Sequence, residues 1–229
     1  MPKRPVAVFD IDGTIFRSSL IIELVDALIM EGIFPKSVRK HYAKEYRRWL
    51  ERKDSYDKYI LGVVRAYMEN IKGKSQPKIW EISQTVMAFH QNSVYRFTRD
   101  LVKELKKKKY FLIAISNSPL DIVQPFAHAM GFDKVYARVF GVDGRSRFTG
   151  KILYFDLISD KAKILKRALL KEDLTLKKSI GVGDTESDIQ FLKVVERPIA
   201  FNPNSVLYKY AKRAGWEIAV ERKDVVYRL

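Results

Sequence analysis

The chain has 229 residues, 47% of them hydrophobic, and 43 Lys and Arg against 27 Asp and Glu, for a formal net charge of +16. That length and apolar content suit one generous domain, or a core with a smaller insertion, and exclude a disordered chain. No apolar run reaches the ~18 residues of a membrane span, no signal-peptide h-region follows Met1, and with no cysteine there are no disulfides and no thiolate chemistry, so a cytoplasmic protein is expected.

In chain order, residues 6–10 read as a short, continuous apolar strand closed by the turn signal Gly13-Thr14. Leu20, Ile21, Leu24, Val25, Leu28 and Ile29 mark one face of a helix that Gly32 and Pro35 end. Residues 36–53, 56–71 and 79–90 repeat the helical pattern. No strand is expected between about residues 17 and 95, which sets that stretch apart as a small helical unit. Beyond it the order alternates. A helix over 99–109 ends in four lysines at the negative end of its dipole, and 110–116 is an apolar strand. Residues 119–130 are a helix started by Pro119, bent at Pro125 and ended by Gly131. Asp143-Gly144 signals a hairpin. Helices are then expected over 161–170, 188–195 and 205–214, and strands over 179–183, 198–201 and, as a last edge strand, 217–220.

Apolar strands alternating with helices predict an α/β fold, a parallel sheet covered on both faces, with its ligand site beyond the carboxyl ends of the strands. The polar residues gather at those ends: Asp10-Ile11-Asp12-Gly13-Thr14, Ser116-Asn117-Ser118, and Gly183-Asp184-Thr185-Glu186-Ser187-Asp188. Asp10 and Asp12 would be costly to desolvate without a partner. If the strand ends converge, several carboxylates meet near a hydroxyl and Lys161. Oxygen ligands without His or Cys suit a hard divalent cation, Mg²⁺ above all. One carboxylate can then attack phosphorus to give an aspartyl phosphate. Lys161, Ser116 and nearby backbone N–H groups can neutralise the phosphoryl oxygens. Asp12 can protonate the leaving oxygen and later activate water.

These motifs resemble the four ordered signatures of the haloacid dehalogenase superfamily of phosphatases: DIDGT, ISNSP, Lys161 in SDKAKIL, and GDTESD. Their spacing is similar to the phosphoserine phosphatase-like branch. The resemblance implies a Rossmann-like three-layer core from residues 1–16 and 96–229, with an α-helical cap from 17–95. It implies Asp10 as nucleophile and metal ligand, and Asp12 as general acid/base that binds metal through its backbone carbonyl. Ser116, Asn117 and Lys161 would hold the phosphoryl group, Asp184 would complete the Mg²⁺ site, and Asp188 would orient Lys161 or the metal's surroundings. Phosphoserine phosphatases carry a glutamate nine residues after the nucleophile to read the substrate ammonium; here that position is Ser19. Arg65 is the candidate for their carboxylate-reading arginine. A small phosphorylated substrate other than phosphoserine is therefore expected, with Ser19 and Arg65 as candidate substrate-facing residues.

Alternatives attach to several residues. Ser118 could cap the following helix instead, Lys163 competes with Lys161 for the inward face, and Asp188 could cap its own helix. The cations of the helical stretch, among them Lys36, Arg39, Lys44, Arg47 and Arg52, read first as a solvated face and second as a seat for an anionic substrate or membrane surface. The histidines are isolated, and the aromatics of residues 42–67 fit a helical core better than a base-stacking platform. Two other classes remain: a receiver-like domain phosphorylated on aspartate, and a basic nucleic-acid- or membrane-binding protein without catalysis. Asp12 and the large insertion speak against the first. No nucleic-acid motif supports the second.

Overall fold

The structure, a computed structural model, describes residues 3–229. The chain begins with β1 (Arg4–Asp10) and passes through α1 (Leu20–Met30), α2 (Ala43–Leu50), α3 (Tyr56–Ile71) and α4 (Gln76–His90). Then α5 (Arg96–Lys107) leads to β2 (Phe111–Pro119), followed by α6 (Leu120–Met130), β3 (Lys134–Val142) and β4 (Phe148–Leu153). Next come α7 (Phe155–Ile158), α8 (Lys161–Lys171), β5 (Leu174–Gly183), α9 (Ile189–Leu192) and β6 (Arg197–Phe201). The chain closes with α10 (Ser205–Ala214), β7 (Glu217–Arg222) and β8 (Val225–Arg228).

Among the described residues the eight strands form one sheet in the order β4-β3-β2-β1-β5-β6-β7-β8. Pairing is parallel from β3 through to β7 and antiparallel at the outer pairs β3–β4 and β7–β8. The order reverses at β1, so a crevice opens beyond the carboxyl ends of β2, β1 and β5. Strand residues alternate between two apolar layers. Ala7 and Phe9 face the layer that holds α1, α4 and α6, while Val6 and Val8 face the layer that holds α8, α9 and α10. Both layers are closed to water, which is why these strands read as unbroken apolar runs.

The helices between Leu20 and His90 are contiguous in sequence, yet their apolar side chains belong to the same buried cluster as one face of the sheet. Tyr67 of α3 meets Phe140 of β3 edge-on at 5.3 Å, and Phe16 meets Phe126 of α6 at 5.7 Å. The two passages into and out of this segment run side by side. Arg17 N donates to Ser93 O at 2.9 Å and Tyr95 N donates to Ile15 O at 2.9 Å.

Besides the unexpected turn α7 and a β5 that starts at Leu174 rather than residue 179, three elements differ from the sequence expectation. Residues 36–53 are not one helix: Lys36–His41 is a 3₁₀ turn and α2 follows it. The break lies at Tyr42, which packs so closely on α3 that a Cβ at Gly62 would lie 2.9 Å from Tyr42 Cβ. β7 is not the edge, because β8 folds back against it. The expected helix over 188–195 is reduced to a 3₁₀ turn at Glu186–Asp188 and the single turn α9.

One support is invisible locally. Tyr95, at the N-terminus of α5, offers no side-chain cap. Glu221 of β7 takes that role: Oε1 accepts from Arg96 N at 3.1 Å and Oε2 from Phe97 N at 2.8 Å. Glu221→Ala is expected to lower the unfolding free energy by about 1 kcal/mol, as loss of a helix cap does, measured by urea denaturation; an unchanged midpoint would show that water replaces the carboxylate at no cost.

Candidate active site

Register brings the polar strand ends together. Asp10 lies level with Ile115 of β2, so Ser116 comes one step beyond it, and Phe9 lies level with Val182 of β5, so Asp184 follows close by. From the other layer, Asp160 caps α8 by accepting from Ala162 N at 3.0 Å and Lys163 N at 3.1 Å. This start directs Lys161, the first helical residue, inward, whereas Lys163 is exposed and lies 3.8 Å from Asp160.

Lys161 Nζ stands 2.5 Å from Asp10 Oδ1 and 2.5 Å from Asp188 Oδ1. All three side chains are buried. The second oxygen of Asp188 accepts from Asp184 N at 2.9 Å and Thr185 N at 3.0 Å, which locks the turn that presents Asp184. Asp188 therefore braces both Lys161 and that turn; it makes no side-chain cap to α9, and Thr185 caps the 3₁₀ turn before it. Asp184 Oδ1 accepts from Thr14 Oγ1 at 3.2 Å. Gly13 makes this approach possible: it has φ +81°, and a Cβ there would lie 2.2 Å from Asp184 Oδ2.

Asp10, Asp184 and Asp188 each bring an oxygen within 4.8 Å of the others. Three carboxylates face one ammonium. Burial, and then the charges of Asp188 and Asp12, outweigh Lys161 and push the Asp10 carboxyl up from 3.8 to about 8. Burial and the charges of Asp10 and Asp188 hold Asp184 well above its ordinary value. Burial would lower Lys161, but its two carboxylate partners prevail and raise it. An all-oxygen cluster short of positive charge fits a hard divalent cation. The carboxylates that gather are those of Asp10, Asp184 and Asp188; the Asp12 carboxylate is not among them.

Asp12 is instead gripped by donors. Its Oδ1 accepts from Leu20 N at 2.6 Å, Ser19 Oγ at 3.1 Å and Ser118 Oγ at 3.1 Å, and its Oδ2 from Ser116 Oγ at 2.5 Å and Ser118 Oγ at 3.0 Å. The helix start at Leu20 thus has a carboxylate in place of its own cap. Ser118 does not cap α6, which begins at Pro119 without a side-chain cap. It lies two residues after Ser116 on an extended strand, so both hydroxyls share a face, a spacing that could have paired them from the outset.

A cavity of about 310 Å³ opens over these groups. Asp10, Asp12, Lys161, Asp184, Ser118 and Asn117 lie at its floor, with Ser19 at its side. Ser116 is fully buried beneath it, its hydroxyl taken by Asp12 and by Ser118 N at 2.9 Å. Arg65 does not line the cavity. The face of α3 that does is set by Tyr56, Asp57, Ile60, Leu61 and Val64, and Arg65, one residue past Val64, turns about 100° away into solvent. Asp57 and Glu186 line the outer cavity and were not among the expected site residues. A carboxylate in a solvated helical turn carries no local signal of the cavity it faces.

A family profile for haloacid dehalogenase-like hydrolases matches residues 7–193 and spans every strand end described above. The chain belongs to this family. It is a hydrolase on the mostly parallel sheet of the haloacid dehalogenase fold. Among similar proteins, an inhibition of morphological differentiation protein of Streptomyces azureus is 24% identical over 94% of this chain and 78% of its own. A histidinol-phosphatase of Neisseria meningitidis is 22% identical over 93% of this chain and 97% of its own. A solved structure of a protein of unknown function from Bordetella pertussis Tohama I superposes with a TM-score of 0.76 at 20% identity, covering 95% of this chain and 98% of that one. A phospho-aspartyl intermediate analogue of phosphoserine phosphatase gives 0.62 at 21% identity, covering 97% and 96%.

Gly13→Ala is expected to cost about 1–3 kcal/mol, because it combines a left-handed backbone with a side chain driven into Asp184, measured by urea denaturation; wild-type stability would show that the turn re-forms around the methyl group.

Proposed function

We propose that this hydrolase is a Mg²⁺-dependent phosphomonoester phosphatase that carries the phosphoryl group on Asp10. In this reading residues 17–95 act as a helical cap over a core made by 1–16 and 96–229, and the substrate is a small phosphorylated molecule other than phosphoserine. The observation that carries it is the buried cluster in which Lys161 joins Asp10 to Asp188 beneath the cavity, with Asp12 two residues from Asp10.

The Asp10 and Asp184 carboxylates, with the Asp12 carbonyl that the family resemblance adds, would hold Mg²⁺, which when bound neutralises charge on the phosphoryl oxygens, and Asp188 would orient Lys161 beside them. An oxygen of Asp10 attacks phosphorus as the ester oxygen leaves, and Asp12 delivers a proton to that oxygen. Asp12 then takes a proton from water as the water attacks the phosphoryl group, and Asp10 is regenerated with release of phosphate. Lys161 offsets the negative charge that develops beside Asp10. Hydroxyls surround Asp12 and fix its carboxylate between the cluster and the cavity. Asn117 offers a cavity-facing amide for the phosphoryl oxygens, while the hydroxyls of Ser118 and of Ser116 beneath it are given to Asp12.

Two features support a substrate other than phosphoserine. Ser19 stands where the ammonium-reading glutamate would be, and its hydroxyl is committed to Asp12. Arg65 lies outside the cavity, so the arginine proposed for a substrate carboxylate is missing from it. A receiver-like domain has no use for a base two residues from the phosphorylated aspartate, and an inert binding protein has no use for this buried charge cluster.

Asp10→Asn is expected to lower phosphate release from small phosphomonoesters at least 10³-fold; full activity in that variant would sink the mechanism. The metal leaves a separate signature. Folded Asp10 keeps its proton to about pH 8 against an ordinary 3.8, so metal-free protein binds more protons folded than unfolded across that window. Its stability should fall as pH rises from about 4 to about 8. Mg²⁺ competes with this proton, so it should raise Tm more at pH 8 than at pH 6; equal shifts would place the ion away from Asp10.

A further inference from the structure

The cavity contradicts the charge of the molecule around it. The chain carries 43 Lys and Arg, yet Lys161 is the one basic residue among those lining the cavity, and it is already held by Asp10 and Asp188. Lys36, Lys44, Arg47 and Arg52 are exposed and lie outside it. Arg39 is bound to Asp26, and Arg48 and Lys58 to Asp54. Among the described residues the outer cavity holds no free cation to pair with a carboxylate or a second phosphate on the leaving group.

The outer cavity offers two other surfaces. Ile21, Ile60, Leu61 and Val64 form an apolar shelf. Beyond the catalytic aspartates stand two more carboxylates, Asp57 from the first turn of α3 and Glu186 from the turn after β5. They come from opposite sides of the junction between helical segment and sheet. Among the described residues neither takes part in an ion pair; Glu186 accepts only from Asn204 Nδ2. The two are near enough to feel each other: burial, and then the Glu186 charge, hold the Asp57 carboxyl above its ordinary value. Like charges facing across a mouth repel, and a cation between them would turn that repulsion into attraction.

We propose that the substrate is a phosphomonoester whose leaving group bears an ammonium on a short apolar arm, the arm lying on the Ile60–Leu61–Val64 shelf and the ammonium seated between Asp57 and Glu186. This rests on the phosphatase reading for its chemistry but not for its recognition. The apolar arm removes water from the shelf, and the ammonium gains two carboxylates in a partly desolvated mouth.

The test compares ω-aminoalkyl phosphates of two to six carbons with n-alkyl phosphates of matched length, using Mg²⁺ and the full chain. At the best length, kcat/KM is expected to favour the ammonium at least tenfold over its uncharged isostere. That ratio, taken within each variant so that changes common to both substrates cancel, should fall at least tenfold in the Asp57→Asn/Glu186→Gln double variant. The same pairs are titrated calorimetrically into the Asp10→Asn protein, where binding is read without turnover. Hydrolysis of both series with no preference would overturn this proposal and leave the phosphatase reading standing. A binding preference without any hydrolysis would do the reverse. A preference that survives neutralisation of Asp57 and Glu186, or one for ω-carboxyalkyl phosphates, would overturn the assignment of these two residues.

Discussion

A single buried ammonium organises this molecule. Lys161 reaches from the first position of α8 to lie 2.5 Å from carboxylates on two other elements, Asp10 at the end of β1 and Asp188 in the turn after β5. Stripping water from any one of these charges costs several kcal/mol, and removing one partner would leave another uncompensated. Each therefore needs the others in place. Through its second oxygen Asp188 also fixes the backbone of Asp184, and Gly13 lets Asp184 close on the turn that follows β1. Strand, helix and turn are tied to one point by one positive charge. That charge is still insufficient for the three carboxylates around it, and the shortfall is what makes the point chemically useful.

The same tension recurs at a larger scale. A net charge of +16 gives the whole molecule a field that draws anions toward it. Close to the cavity the sign reverses, because the cations of the helical segment are solvated or paired with neighbouring acids while carboxylates line the opening. Long-range attraction of anions and short-range selection at the cavity can thus be carried by different residues. Both depend on salt, which screens exposed charges such as Asp57 and Glu186, whereas the buried cluster around Lys161 is screened much less.

Much of the architecture was legible as pattern. Strands buried on both faces read as continuous apolar runs, and amphipathic helices announced themselves by their spacing; residues 56–71 and 205–214 are helical to the residue. The misreadings have two causes. The helix expected over 36–53 divides where Tyr42 meets Gly62, a residue in another helix. Residues 223–229 hold the strand formers Val225, Val226 and Tyr227, too short a run to read as a strand alone, and β8 forms as a hairpin on the edge of β7. The N-terminus of α5 is capped by a carboxylate some 125 positions away. The first and the last are decided by contacts between separate elements, of which local propensity carries no record, whereas β8 is a sequence-local hairpin.

The site divides along the same line. The sequence alone determined the chemistry on offer: carboxylates, a lysine and hydroxyls at successive strand ends, in an order shared with haloacid dehalogenase-like hydrolases, with serine where a phosphoserine enzyme would have glutamate. It could not rank neighbours one or two positions apart. Tertiary structure turned Lys161 in and Lys163 out through the cap at Asp160, buried Ser116 beneath Asp12 while leaving Ser118 on the cavity, and rotated Arg65 away from it. It also brought Asp57 and Glu186 to one mouth from distant parts of the chain. The physical reason is that residue type sets what a group can donate, accept or ionise, whereas burial and direction, which decide whether it does so at the reacting centre, arise only when separate elements pack.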